Sequence, residues 1–460
     1  MIRPAVAVIP IVMVGILVPA AFGDVRVRPP EFESDYRALS TEAPPARSAG
    51  GQYADVTVLI VALTAAGYFA IYRRSRAWLV ALTVFSLAYF GFWRGGCVCP
   101  IGAIQNVALA VFDSGYKLPL VVAAFFAIPL VFTLFHGRTF CAAVCPLGAV
   151  QDLVALKPIR LPRWLVDSLG LFPYLYLAAA VLLAAMGSAF VICRTDPFVS
   201  LFRLLPVGKW VQGLGQQQLR PSGGAMVAGR FDLLLPVGLF LLLGIFVARP
   251  YCRFICPYGA MLRLFSRISK LHVTITPGEC IRCRLCEDSC PFGAILKPTG
   301  QIPASAHPGE KRRLALLLAL LPALVLAGGV LGYAVSGLAA RVEHTVQLAE
   351  RVRLEETGAV AGQTDLSRAF SELGTTNRQL YSQALAVKGK YAVGASLAGA
   401  FFGLVVALKL VSLAVRRKRE DYLPDKATCM SCGRCFAYCP VEQHRRSKGT
   451  LPEIMVKTEQ

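Results

Sequence analysis

The chain has 460 residues, 55% of them hydrophobic, and a mean hydropathy of +0.56, which excludes a soluble domain of ordinary composition. Its formal net charge is +21, yet the basic residues flank apolar runs and no nucleic-acid-binding motif accompanies them. The charge therefore reads as orientation of membrane helices and contact with anionic lipid, not as nucleic-acid binding.

Residues 1–23 read as a secretory signal or a first membrane helix: Arg3 precedes an apolar run at 4–22, and Ala21 and Gly23 stand before Asp24. The segment 24–54 is rich in Pro, Ser and charge and reads as an irregular outer stretch. Apolar runs at 55–72, 77–93, 118–135, 171–192 and 231–248 make up a membrane domain, 55–270. Two more, 314–334 and 392–415, lie within 311–415. Each approaches the length that crosses the hydrocarbon layer as a helix. The expected fold is an all-α polytopic membrane protein with 7–8 transmembrane helices and a small cytoplasmic ferredoxin-like two-cluster unit.

Basic clusters orient the helices. Arg73, Arg74 and Arg76 are placed inside, as are Lys157, Arg160 and Arg163, Lys311, Arg312 and Arg313, and the run Arg416, Arg417, Lys418 and Arg419. The loop 193–230 carries five basic residues on the predicted outer side and argues mildly against this topology. The polar segment 336–391 has helical spacing and mixed charge and reads as an outer helical hairpin. It is either a docking surface for an external partner or a passive connector.

Three segments at the ends of apolar runs repeat one another. They are Arg94, Cys97, Cys99, Pro100 and Gly102; Arg138, Cys141, Cys145, Pro146 and Gly148; and Arg249, Cys252, Cys256, Pro257 and Gly259. In each the proline stands just inside the start of a new helix, where its missing N–H costs nothing. Cysteines at i and i+4 share a helical face. A single such pair reads as two buried small hydrophobes; three copies with a shared Cys-Pro-x-Gly favour a redox or metal role, with a structural or disulfide role as the alternative. Cys141, Cys145, Cys252 and Cys256 are placed on the inner side, as candidate ligands of a metal or a further cluster. Cys97, Cys99 and Cys193 are placed on the outer side, as a candidate outer redox site.

The most specific chemistry lies in two segments, 271–310 and 416–460. The first carries Cys280, Cys283, Cys286 and Cys290 followed by Pro291, and the second carries Cys429, Cys432, Cys435 and Cys439 followed by Pro440. The spacing is that of the run that wraps a [4Fe–4S] cluster. Zinc knuckles and disulfides fit it poorly, since zinc sites come as two separated pairs. Two [4Fe–4S] clusters are expected. In two-cluster ferredoxins the fourth cysteine of each run ligates the other cluster. The expected sets are therefore Cys280, Cys283, Cys286 and Cys439, and Cys429, Cys432, Cys435 and Cys290.

Other chemistry is thin. The five histidines are not paired within membrane helices, and no Cys-x-x-Cys-His, P-loop or G-x-G-x-x-G occurs. Asp196 and Asp232 near helix ends read as interfacial charges rather than a proton relay.

The Cys-Pro-x-Gly repeats, with Cys193, Asp196, Pro197 and Phe198 and the two cubane runs, resemble the NosR/NapH type of polyferredoxin-like membrane iron–sulfur proteins, which includes the FixG/CcoG branch. The resemblance covers roughly 55–300 and 425–445. It implies electron passage across a bacterial inner membrane, between the quinol pool and periplasmic reductases. The chain departs from that pattern in four ways. It shows no flavin attachment site or N-terminal flavin domain, and its first repeat is Cys-x-Cys-Pro. A helix pair separates the cubane runs, and no C-terminal all-β domain follows.

The expected function is a membrane-bound relay of electrons through [4Fe–4S] clusters, a subunit of an oxidoreductase system more than a stand-alone enzyme. Quinone and other redox subunits or a periplasmic donor or acceptor are its candidate partners, beside membrane lipid. The alternatives are a copper reductase or assembly factor for a respiratory metalloenzyme, and a redox-sensing regulator.

Overall fold

The computed structural model describes residues 48–94, 99–159, 161–192, 196, 201–202, 237–275, 280–299, 308–360, 362–372, 376–414 and 419–447. The expectations for 1–23, most of 24–54, Cys97, Cys193, Asp232 and most of the loop 193–230 fall outside the described residues.

The protein is mostly helical. Helix α1, Ala49–Gly67, starts at Ser48, whose hydroxyl accepts from the Gly51 N–H at 3.4 Å. It runs on through a π-helical turn, Tyr68–Tyr72. Helix α2, Arg76–Ser86, does the same through Leu87–Trp93. Far from the turn that joins them, Asp55 accepts from Tyr89 Oη at 2.8 Å and pairs with Arg94 Nη2 at 2.7 Å. A buried carboxylate in an apolar helix is costly unless paired, so this contact fixes the two helices in register. Helices α3, Pro100–Phe112, and α4, Leu120–His136, follow.

Two hairpins then break the pattern of simple crossings. The first turns through Phe140–Val144 into α5, Pro146–Val154. The second runs through α9, Pro250–Phe254, into α10, Pro257–Ser266. Between them lie α6, Arg163–Leu169, α7, Phe172–Ala185, and α8, Val237–Phe246. The hairpins do not lie on the surface: Thr83 Oγ1, halfway along the α2 span, is 3.5 Å from the Ala142 carbonyl. Irregular backbone at that depth survives only where protein satisfies its polar groups.

Among the described residues five helices are long and apolar enough to cross a membrane: Ala49–Tyr72, Arg76–Trp93, Trp164–Ala185, Arg312–Ala340 and Asn377–Ala414. Pro100–Phe112, Leu120–His136 and Val237–Phe246 are apolar but shorter. Of the expected crossings, 118–135 appears as the shorter apolar helix Leu120–His136, and the described part of 231–248 as Val237–Phe246.

Beyond the first cubane segment, α12, Pro308–Ala340, packs along α15, Asn377–Ala414. Gly328 and Gly332 meet Gly399, Gly403 and Ala395; a Cβ at Gly328 or Gly332 would run into the carbonyls of Gly399 and Ala395. Small residues four apart let two backbones touch, which replaces the hydrophobic drive that lipid cannot supply. The polar segment between them is helical, as α13, His344–Glu356, and α14, Asp365–Glu372. Glu355 ties these two together, accepting from Arg351 Nε at 2.8 Å and Ser367 Oγ at 2.9 Å. The expected outer hairpin is thus shorter than 336–391, because α12 and α15 extend into it. Tyr391 bonds Ser188 at 2.7 Å and Lys409 bonds Asp167 at 2.7 Å, which hold α15 to the membrane core.

The two cubane segments form one unit. Strand β1, Ile295–Leu296, pairs antiparallel with β2, Leu423–Pro424, with Ile295 opposite Pro424. Backbone bonds from Asp425 N to Ala294 O, 2.8 Å, and from Thr299 N to Arg419 O, 2.9 Å, extend the join. Short helices α11, Leu285–Ser289, α16, Arg434–Ala437, and α17, Pro440–Ser447, complete it. The unit sits on the re-entrant hairpins: Ser266 Oγ donates to the Lys426 carbonyl at 2.7 Å and Arg138 Nη1 to the Ala427 carbonyl at 3.4 Å.

Candidate iron–sulfur centres

The two cubane loops fold alike because they bend at matching positions. Arg282 and Arg284 in the first run have φ of 55° and 66°, and Ser431 and Gly433 in the second have 54° and 74°. Left-handed backbone between the cysteines turns successive thiols to one side, at a conformational cost for the three non-glycine residues. At Gly433 a side chain would also strike the Phe436 ring.

Cys280, Cys283 and Cys286 line one pocket together with Ile275 and Tyr422; the fourth cysteine on its wall is Cys439, from the second run. Cys290 instead lies within electrostatic reach of Cys429, Cys432 and Cys435. Cys439 thus lies beside the first run's thiols and Cys290 beside the second's. Burial pushes the Cys286 thiol up to about 11 and the Cys429 thiol up to about 12, with neighbouring cysteines adding to the rise. The Ser431 N–H points at Cys429 Sγ, 3.4 Å away.

The third group of cysteines lies between the hairpins. Cys141, Cys145, Cys252 and Cys256 are all buried, within electrostatic reach of one another, in one core. The two repeats interlock crosswise. A Cβ at Gly148 would stand 3.0 Å from the Cys141 carbonyl oxygen and 3.6 Å from Arg249 Nη1. A Cβ at Gly259 would stand 3.0 Å from the Cys252 carbonyl oxygen and 3.6 Å from Arg138 Nη2. Each repeat's arginine thus lies over the other's glycine. Arg249 donates to the carbonyls of Cys141 and Ala142, and Gln151 Nε2 donates to Cys252 Sγ at 3.3 Å. The Gly259 N–H donates to Cys256 Sγ at 3.2 Å.

Cys99 does not form a separate outer site with the described residues. It packs against the same core and lies within electrostatic reach of Cys145, because the hairpins carry their cysteines deep between the helices. Asp196 is also buried rather than interfacial, with an electrostatic partner in Tyr251.

Among the described residues no three His, Cys, Asp or Glu side chains stand close enough to share one metal ion. Each thiolate of a cubane binds its own iron, so its cysteines stand wider than those of a single-zinc knuckle. The all-thiol donor sets fit iron–sulfur clusters. Arg138, Arg249 and Asp152, which join the centres to one another, received no role from sequence. The available signal was the arginine three places before the first cysteine in each repeat.

A family model described as "4Fe-4S binding domain" matches residues 118–167 and 230–276, which span both hairpins, and a second of the same description matches 273–296. "Protein NirI" of Paracoccus denitrificans (strain Pd 1222) is 27% identical over 263 residues, 53% of this chain and 35% of that protein. "Putative electron transport protein YccM" of Escherichia coli (strain K12) is 26% identical over 202 residues, 42% of this chain and 52% of that protein. "Regulatory protein NosR" of Stutzerimonas stutzeri is 26% identical over 235 residues, 48% of this chain and 29% of that protein. The chain thus spans between about a third and about half of these relatives. No solved structure matches it significantly. Motifs, models and relatives together fit the chain as a NosR/NapH-type polyferredoxin-like protein.

Proposed function

We propose that the protein carries electrons through three cysteine-bound stations, from a ferredoxin unit on the cytoplasmic side into the membrane, for exchange with quinone or a redox partner on the far face. An iron–sulfur electron-transfer role rests on the two family models and on relatives that include one named an electron transport protein. The path into the membrane domain is supported by continuity. Cys286, Cys290, Cys435 and the four hairpin cysteines belong to a single buried core, with Cys280, Cys429, Cys432 and Cys439 packed against it.

In this reading Cys280, Cys283, Cys286 and Cys439 hold one [4Fe–4S] cluster, and Cys429, Cys432, Cys435 and Cys290 hold the other. Cys141, Cys145, Cys252 and Cys256 hold a third iron–sulfur group. When bound, such groups supply reversible one-electron transfer. The chain's own residues supply thiolates, exclude water and fix spacing. Asp152 does the last most directly, pairing with Arg249 at 3.4 Å and with Arg434 of the second cubane loop at 3.5 Å. Burial works against its charge, but the two guanidiniums outweigh it and hold the carboxyl below its ordinary value.

Iron content tests this. Two cubanes require about eight irons per chain, and a third group raises the count above that. Replacing Cys141 and Cys256 by serine together should bring it back to about eight. An unchanged count in that variant overturns the third station. A regulatory reading is favoured by the name of the NosR relatives. It would require a signalling partner whose binding follows the redox state of the clusters, without net electron transfer across the membrane.

A further inference from the structure

Resting on the three-station reading, we propose that Arg138 and Arg249 are shared charge partners of the hairpin station and of the second cubane station, and that they tie the two reduction potentials together.

Both guanidiniums are buried inside the protein, at 1% and 0% exposure, where an uncompensated charge is among the costliest features a protein can carry. Arg138 stands between the two sites. Its Nη2 is 3.8 Å from Cys141 Sγ, its Nη1 donates to the Ala427 carbonyl ahead of the second run, and its charge reaches Cys429 and Cys252. Arg249 mirrors it. It holds the Cys141 and Ala142 carbonyls, and its charge reaches Cys252, Cys141 and Cys432.

Among the described residues, carboxylate compensation is incomplete. Asp152 pairs with Arg249 but divides itself with Arg434, and Arg138 contacts a carbonyl and a thiol. Arg138 Nε and Arg249 Nε are buried with no hydrogen-bond partner among the described residues. Such a surplus of buried positive charge fits sites whose ligands are thiolates and whose bound group is anionic. The glycines fit the geometry, since a Cβ at 148 or 259 would press on the carbonyl of its own cysteine turn at 3.0 Å, with the opposite arginine in contact at 3.6 Å.

The sign follows from electrostatics. Reduction adds negative charge, so a nearby cation raises the potential and its removal lowers it. The pocket of Cys280, Cys283, Cys286 and Cys439 has neither arginine on its wall and serves as an internal reference.

The test is a spectroscopically monitored redox titration of the full chain, purified anaerobically with its iron counted. Arg138→Gln and Arg249→Gln should each lower the potentials of the hairpin and second cubane stations. We expect a shift of about tenfold in the reduction equilibrium, about 59 mV for one electron, with the first cubane fixed. Arg138→Lys and Arg249→Lys should stay near the wild type. Asp152→Asn should move the same two stations upward, and it decides the matter if the Gln variants do not load. Two unmoved stations, or all three moving together, overturn the proposal. Failure of the third station itself is read separately, as unchanged iron in the Cys141→Ser, Cys256→Ser double variant.

Discussion

Arg74 Nε lies 3.0 Å from Glu442 Oε1, and both side chains are almost wholly buried. Arg74 belongs to the turn between the first two membrane helices, at a φ of 50°, and Glu442 to the helix that follows the second cubane run. The same guanidinium donates to the Thr274 carbonyl at 2.8 Å and lies 5.4 Å from the centre of the Phe436 ring. One basic residue of the sort that orients membrane helices thus also joins the membrane domain to both halves of the ferredoxin unit. It places the unit on the side of the Arg73–Arg76 cluster.

Breaking this pair should loosen the dock. Removing one partner of a buried ion pair leaves the other uncompensated and costs about 3–5 kcal/mol. Glu442→Ala and Arg74→Ala should each lower the melting temperature, and hydrogen exchange at β1 and β2 should rise. The double variant should lose less than the sum of the two. Additive losses would mean that the pair is not coupled.

If the fourth cysteines are exchanged as proposed, the variants have a crossed spectroscopic phenotype. Cys439→Ser should disturb the signal of the first run's cluster, and Cys290→Ser that of the second, each measured by electron paramagnetic resonance of the reduced protein. If each variant disturbs only the cluster of its own run, the assignment is wrong.

Without clusters the buried thiols make stability depend on pH. Cys286 and Cys429 rise from the ordinary thiol value of 9.0 to about 11 and about 12. The folded apo unit therefore keeps protons that the unfolded chain releases, and stability falls as pH climbs. The contribution is whole below pH 9.0 and fades through about 11 to 12. Chemical denaturation of the iron-stripped protein at pH 8 and pH 11 should show the loss, and the loaded protein, whose thiols are already deprotonated, should not.

The helix pair α12 and α15 should not tolerate bulk at its contact. Gly332→Leu forces the backbones apart at Ala395, and overpacking of this kind costs about 1–3 kcal/mol. Thermal unfolding in detergent should register it, whereas Gly337→Leu, with open space around it, should be near neutral.

The chemistry of the chain was legible in its cysteine spacing, because a cluster loop is a local structure that three or four neighbouring residues specify. The joining of runs at 280–290 and 429–439 was legible for the same reason, through the exchange that such runs make. The hairpins were only half legible. Their repeat was plain, but their re-entry beside Thr83 depends on Arg249 and Gln151 reaching across to the opposite repeat, contacts between residues about a hundred positions apart. The packing of Cys99 against the core was not legible for that reason: charge clusters order helices along the chain but say nothing of a loop that turns back among them. The Gly328, Gly332 and Gly399, Gly403 pairs were present as four-residue spacings and would have predicted the close packing of α12 on α15.

Exit of electrons from the ferredoxin unit through the hairpin cysteines can be followed in sealed vesicles carrying the loaded protein in one orientation, with a membrane-impermeant reductant on the ferredoxin side and an electron acceptor trapped on the other. The wild type should reduce the trapped acceptor, and the Cys141→Ser, Cys256→Ser variant, with both cubane signals intact, should lose that reduction. Equal rates in the two proteins would contradict the account.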